Sequence, residues 1–304
     1  MQDRARSNHY PTRYALSPQD VTRDVLDRIP ATSARFRVVI LVLALLTTAG
    51  VVGFLLRLQD GFDQRNAWGY QAAMFGFLLT TAQAAPVVAI AFRLTKAHWR
   101  RPLVRAAELF SVVGILSLLL FLPLLATIPP VQGRRSIWFQ WPQGAPYLWD
   151  TLAMVALVIC GLALLYVSSV PDLAAARDRA RSAGNSLLAV LALGWRGTLR
   201  QWRVLKSGLN MLGVFYLMLL IFVNLLIGSD FIMSLVPGWR SSIFPAYLAL
   251  SSILGGLAIV LVGLGLWRWL GGLKEYLHVD QFWALSKPLL AATLLWFFFG
   301  WSEF

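Results

Sequence analysis

Four carboxylates fall inside or at the edge of long apolar runs: Glu108, Asp150, Asp230 and Glu303. A charged group in the middle of a bilayer costs about 3 kcal/mol on insertion scales, so an acid there needs a partner, water or a task. Asp150 lies in the first turn of the stretch Ala145–Arg179, APYLWDTLAMVALVICGLALLYVSSVPDLAAARDR. There it can complement a helix N-terminus. It can equally serve as a proton acceptor in a site for a lipid-soluble substrate. Glu108 follows Arg105 by three residues, the spacing of an ion pair on one helix face. Its other reading is a proton entry or relay group. Asp150, Asp230 and Glu303 fall at one membrane level, together with Arg240 and several tryptophans. Flat rings to stack on and polar groups to grip oxygens suit a quinone head group, and a carboxylate can take the proton released on its oxidation. Acids near helix ends also occur in proton-coupled transporters.

The elements that must position these groups are apolar helices. The chain has 304 residues, of which 58% are hydrophobic and 13% charged. Globular domains carry about a quarter charged residues. Several apolar runs exceed 18 residues, which predicts an all-α, polytopic membrane bundle. Seven spans are expected, at roughly 36–56, 68–93, 104–128, 147–170, 208–227, 243–267 and 284–304. They form one transmembrane domain over 36–304. Residues 1–35 read as a polar tail with a short amphipathic helix, opened by Ser17-Pro18-Gln19-Asp20 and stopped by Pro30. Leu187–Leu193 is too short to cross. With Trp195, Arg196, Arg200, Trp202 and Arg203 it reads as an interfacial segment near 186–206.

The net charge of +13 does not point to nucleic acid, because the basic residues sit in alternate loops. Of the 27 Lys and Arg residues, 22 fall in the tail and in the loops 93–105, 171–207 and 268–287. The positive-inside rule then places the N-terminus in the cytoplasm, the C-terminus outside after seven crossings, and Trp138, Trp141, Trp149 and Trp239 on the outer face. Cys160 is the only cysteine and cannot form an intrachain disulfide, and His9, His98 and His278 all lie outside the apolar runs. No metal centre and no intramembrane bis-histidine haem site is expected.

Pro146-Tyr147-Leu148-Trp149-Asp150, continued through Ser169-Val170-Pro171-Asp172-Leu173-Ala174 to Arg177-Asp178-Arg179-Ala180, resembles the NrfD/PsrC family, the membrane subunits of polysulfide-reductase-type complexes. Asp20-Val21-Thr22, Trp99-Arg100, Arg105-Ala106-Ala107-Glu108, Leu191–Gly197 and Ser234–Trp239 follow in the same order. The resemblance covers nearly the whole chain and leans toward the quinol-oxidising membrane subunit of alternative complex III. It implies paired four-helix bundles in a bacterial inner (plasma) membrane. It implies no covalently bound cofactor, and quinone or menaquinone as substrate near the outer face. The implied partners are an iron–sulfur subunit docked outside, other membrane subunits and cytochrome c-type subunits. The subunit alone would not be an enzyme. The outer loop Val131–Pro146 would contact the iron–sulfur partner.

Departures from the family pattern bear on the site. Gln83 and Asn224 stand where related subunits carry histidines, and Ala126-Thr127-Ile128-Pro129-Pro130 replaces a His-Leu-Gly-Arg-Pro run. An amide can hydrogen-bond a quinone oxygen but cannot take its proton. This leaves Asp150 as the proton acceptor, with Gln83, Asp230 and Arg240 as quinone-binding groups and Glu108 on the cytoplasmic proton path. Two other readings stay open. One is a proton-conducting or proton-coupled transport subunit; the other is a structural anchor with a decayed quinone site. The chain ends inside an aromatic apolar run where family members continue, so a C-terminally truncated chain is expected.

Overall fold

The computed structural model describes residues 34–96, 101–128, 145–179, 186–236, 238–270 and 276–302. The helix expected in the tail, the loop 131–144 and Glu303 lie outside the described residues. Two compact units divide the chain, residues 1–50 and 51–304. The first contains, among the described residues, the opening part of helix α1 (Ala34–Gln59), which runs on into the second. The second holds α2 (Gly69–Thr80), α3 (Pro86–Leu94), α4 (Arg101–Leu109), α5 (Val113–Ala126) and α6 (Ala145–Arg179). After these come α7 (Ser186–Leu191), α8 (Leu199–Leu226), α9 (Phe244–Leu270) and α10 (Val279–Ser302). Among the described residues there is no strand. The protein is a helical, multi-pass membrane protein.

Six helices are long and apolar enough to cross a membrane: Phe36–Gln59, Leu103–Ala126, Pro146–Asp178, Leu199–Met233, Phe244–Leu270 and Val279–Ser302. The remaining apolar run, 68–93, is split into α2 and α3 by a break at Thr81–Ala85. Two local causes act together. Thr80 Oγ1 and Thr81 Oγ1 donate back to the carbonyls of Gly76 (2.8 Å) and Phe77 (2.5 Å), closing the last turn of α2. Pro86 then starts α3, where its missing N–H costs nothing.

Irregular backbone at membrane depth survives only where protein covers it. Here α9 covers it. A Cβ added to Gly255 would lie 2.1 Å from the Thr80 carbonyl oxygen, and one added to Gly256 would lie 2.7 Å from the Ala84 carbonyl. Only glycine lets the α9 backbone approach so closely, the same logic by which small residues line helix contacts in membranes. Tyr216 of α8 closes the other side, its hydroxyl donating to the Gln83 carbonyl. Gln83, Ala84 and Ala85 are buried as a result.

Two apolar clusters flank the break. Phe75, Phe121, Met154, Leu157, Leu164, Tyr216 and Leu220 join α2, α5, α6 and α8. Val88, Leu103, Ala107, Val260, Leu264 and Leu285 join α3, α4, α9 and α10. A hydrogen bond from Trp296 Nε1 to Ser251 Oγ (2.9 Å) adds a polar tie between α10 and α9.

Candidate functional site

Asp150 is the sixth residue of α6, in the second turn rather than the first, and it is 1% exposed. The expected role as an acid at a helix N-terminus therefore does not describe it. It lies beyond the first turn, where the free N–H groups are, and is buried in the bundle interior. Apart from the Asp230 side chain, neither carboxyl oxygen has a hydrogen-bond partner in place. The ionisable group that acts on it is Asp230, so two acids from different helices meet.

Asp230 reaches this position through an irregularity. Residues Ile227–Met233 form a π-helical turn that continues α8, marked by the bond from Ser234 N to Ser229 O (3.0 Å). Such turns insert one residue into a helix and recur at functional sites. Ser234 Oγ donates to the Asp230 carbonyl and ties the turn to its exit. The turn also borders an open cleft of about 430 Å³, lined by Ser229, Met233, Ser234, Trp239, Arg240 and Ser241 among others. Asp230, which meets Asp150, is next in sequence to Ser229 of the cleft wall. Phe231 packs edge-on against buried Phe121, ring centroids 5.3 Å apart. Trp239 packs against Phe244 at 4.6 Å.

Of the four sequence-predicted binding residues, Asp150 and Asp230 interact, and Arg240 lines the cleft that Ser229 of the π-turn also lines. Gln83 is set apart. A Cβ on Gly114 would meet both Gln83 Nε2 at 3.0 Å and Val158 at 3.3 Å. Val158 follows Asp150 by eight residues of helix, about 12 Å along the axis. Gln83 therefore sits about two turns deeper, in the break, with its side-chain oxygen buried and unpartnered.

Between these levels lies a pair that the sequence showed only in half. Asn224 Nδ2 donates to the Leu220 carbonyl (2.8 Å), and Ser252 Oγ donates to Asn224 Oδ1 (2.6 Å). Both residues are fully buried.

At the opposite end, Glu108 is fully buried and richly bonded. Arg93 forms a buried ion pair with Glu108 Oε1. Arg105 Nη1 lies 3.1 Å from Oε2, the ion pair expected from their spacing. Ser168 Oγ of α6 donates to the same oxygen at 2.6 Å. Arg105 also bonds the Ser168 hydroxyl (2.6 Å) and carbonyl, and pairs with Asp172 at 2.8 Å. Pro171, three residues on, has no N–H to offer the Val167 carbonyl and so interrupts the helical ladder at this turn. Arg93 and Ser168 were missed from sequence. An arginine in the last turn of one apolar helix, opposite a glutamate early in the next, is the signal that finds them.

Among the described residues no cluster of His, Cys, Asp or Glu could hold a metal ion. Compared with known proteins, the chain matches no protein-family model and no curated protein sequence.

Proposed function

We propose that the protein is the quinone-interacting membrane subunit of a respiratory oxidoreductase complex. It would pass electrons between the quinone pool and an iron–sulfur partner at the outer face. The observation that carries this reading is the Asp150–Asp230 pair beside an aromatic and arginine-lined cleft. Coupled carboxyls can take up and release a proton as one unit. Quinol oxidation needs such an acceptor next to the head group. In this reading Arg240 and the cleft serines hold the head's oxygens, and Trp239 stacks near it. Gln83 acts further in, if the head penetrates as far as the break. The complex would include cytochrome c-type and further membrane subunits in a bacterial inner membrane, with the N-terminus cytoplasmic.

The test is Asp150→Asn in the assembled complex, with quinol turnover as the readout. A loss of about a hundredfold is the expectation for removing a proton acceptor. Unchanged turnover sinks the proposed role.

A second reading has its own observation. Ser168, bonded to Glu108, follows Asp150 by 18 residues, about 27 Å along α6 and close to the thickness of the bilayer core. Buried polar groups occur at intervals between the two ends: Asn224–Ser252, Gln83 with Tyr216, and Ser111. Such a line suits a proton-conducting subunit. Proton flux through the protein in quinone-free liposomes, lost on Glu108→Gln, favours this reading. A tight membrane removes it. A subunit that assembles normally but binds no quinone-site inhibitor would instead be a structural anchor.

A further inference from the structure

The segment 186–206 is anchored to α6 at two points and braced by one contact of its own. Tyr166 of α6 donates to the Leu191 carbonyl (3.0 Å), and Arg177 of α6 donates to the Trp195 carbonyl (3.0 Å). Trp195 and Trp202 pack edge to face at 5.1 Å. Positive φ at Leu193, Gly194 and Gly197 turns the chain, and a Thr198–Gln201 capping box starts α8. The segment is thus held in place at the end of the bundle where α6 finishes and Glu108 lies.

What it presents outward is mixed in character. Leu187, Val190, Leu199 and Trp202 are exposed, at 65%, 72%, 85% and 49%. Interleaved with them are Arg196, Arg200, Arg203 and Lys206, also exposed. Among the described residues none of these four cations forms an ion pair. Residues 186–229 contain no Asp or Glu. Exposed apolar side chains alone call for acyl chains, and four cations without an ion pair among the described residues call for net negative charge at the same depth. A zwitterionic surface carries phosphates but no net charge, so it satisfies the first demand and not the second.

We propose that this face is a docking surface for anionic phospholipid, its apolar side chains among the upper acyl carbons and its cations on the lipid phosphates. A basic residue near an anionic leaflet gains about 1 kcal/mol, a fivefold preference. Neighbouring lipids exchange, so the whole surface is expected to show a preference of about fivefold rather than the product over four residues.

The experiment places the purified full-length protein in phosphatidylcholine vesicles containing a trace of spin-labelled phosphatidylglycerol or spin-labelled phosphatidylcholine. The immobilised fraction of each probe is read by electron spin resonance. The expected result is about fivefold stronger association of the phosphatidylglycerol probe at low salt, shrinking as salt rises. The triple variant Arg196→Gln, Arg200→Gln, Arg203→Gln is expected to associate equally with both probes. The matching Lys variant is expected to keep the preference. Equal association in the wild type, or a preference untouched by neutralisation, overturns the proposal. If the triple Gln variant fails to fold, the three single Gln variants are read instead. Each should lose part of the preference, and no loss in any of them overturns it.

Discussion

Glu108 and Asp150 are both carboxylates of 1% exposure or less, and the elements that hold them are about 27 Å apart along α6. Their surroundings differ in kind. Glu108 has Arg93, Arg105 and the Ser168 hydroxyl around it, and Asp172 balances the second arginine. Asp150 has no cation or backbone donor on either oxygen, and its one side-chain partner is another acid. The first arrangement holds a charge in place. The second leaves a carboxyl with unused capacity, which is what proton uptake requires. The contrast teaches that burial alone does not mark a working acid; the set of groups around it does.

The largest expected effect comes from breaking the satisfied end. Arg93→Ala leaves Glu108 buried with a half-exposed arginine as its only cation. The expected loss is about 3–5 kcal/mol of stability, read as denaturant unfolding in detergent micelles. The double variant Arg93→Ala, Glu108→Gln should recover part of that loss, because it removes the stranded charge. Equal losses in the single and double variants break the comparison.

At the other end, Asp150→Asn should leave stability within about 1 kcal/mol of the wild type, since an amide at this position can still donate to the Asp230 carboxyl. Together with the turnover loss predicted above, that split would separate a working acid from a structural one. A stability loss as large as that of Arg93→Ala would make the two ends alike.

Between the two ends, Gly255→Ala pushes a methyl group into the Thr80 carbonyl. A cost of about 1–3 kcal/mol is expected, as for overpacking a filled core. Thermal unfolding measures it. A smaller effect than that of Gly255→Ala is expected for Ser168→Ala, about 1 kcal/mol, because Arg93 and Arg105 still cover Glu108. A larger loss would show that the serine, not the arginines, holds the acid.

The apolar helices were legible because hydropathy over 20 residues is a strong signal, and the Arg105–Glu108 pair because it is local. The break at Thr81–Ala85 was not, since Ala82, Ala84 and Ala85 keep the run apolar while Pro86 alone marks the restart. Arg93 was read as a loop cation for the charge count. In the fold it is 9% exposed and bonded to a residue 15 positions away, a contact that no local pattern shows. The meeting of Asp150 with Asp230 was legible only as a shared membrane level. Which faces meet depends on helix rotation, and the π-turn shifts that rotation. Gln83 was grouped with the acids for the same reason, although the fold sets it about two turns deeper.

The π-turn Ile227–Met233 acts as a phase shifter. A helix advances about 100° per residue, so one extra residue rotates everything beyond it relative to everything before. Asn224 lies before the shift and Asp230 within it. Yet Asn224 bonds Ser252 of α9, and Asp230 meets Asp150 of α6. One helix thus addresses two different neighbours within about two turns. Deleting Gly228 would restore a regular α-helix and swing Asp230 by about 100° away from Asp150, leaving the Asn224–Ser252 contact as it is. The length of this turn, counted in single residues, is as much part of the acid pair as the carboxyl groups themselves.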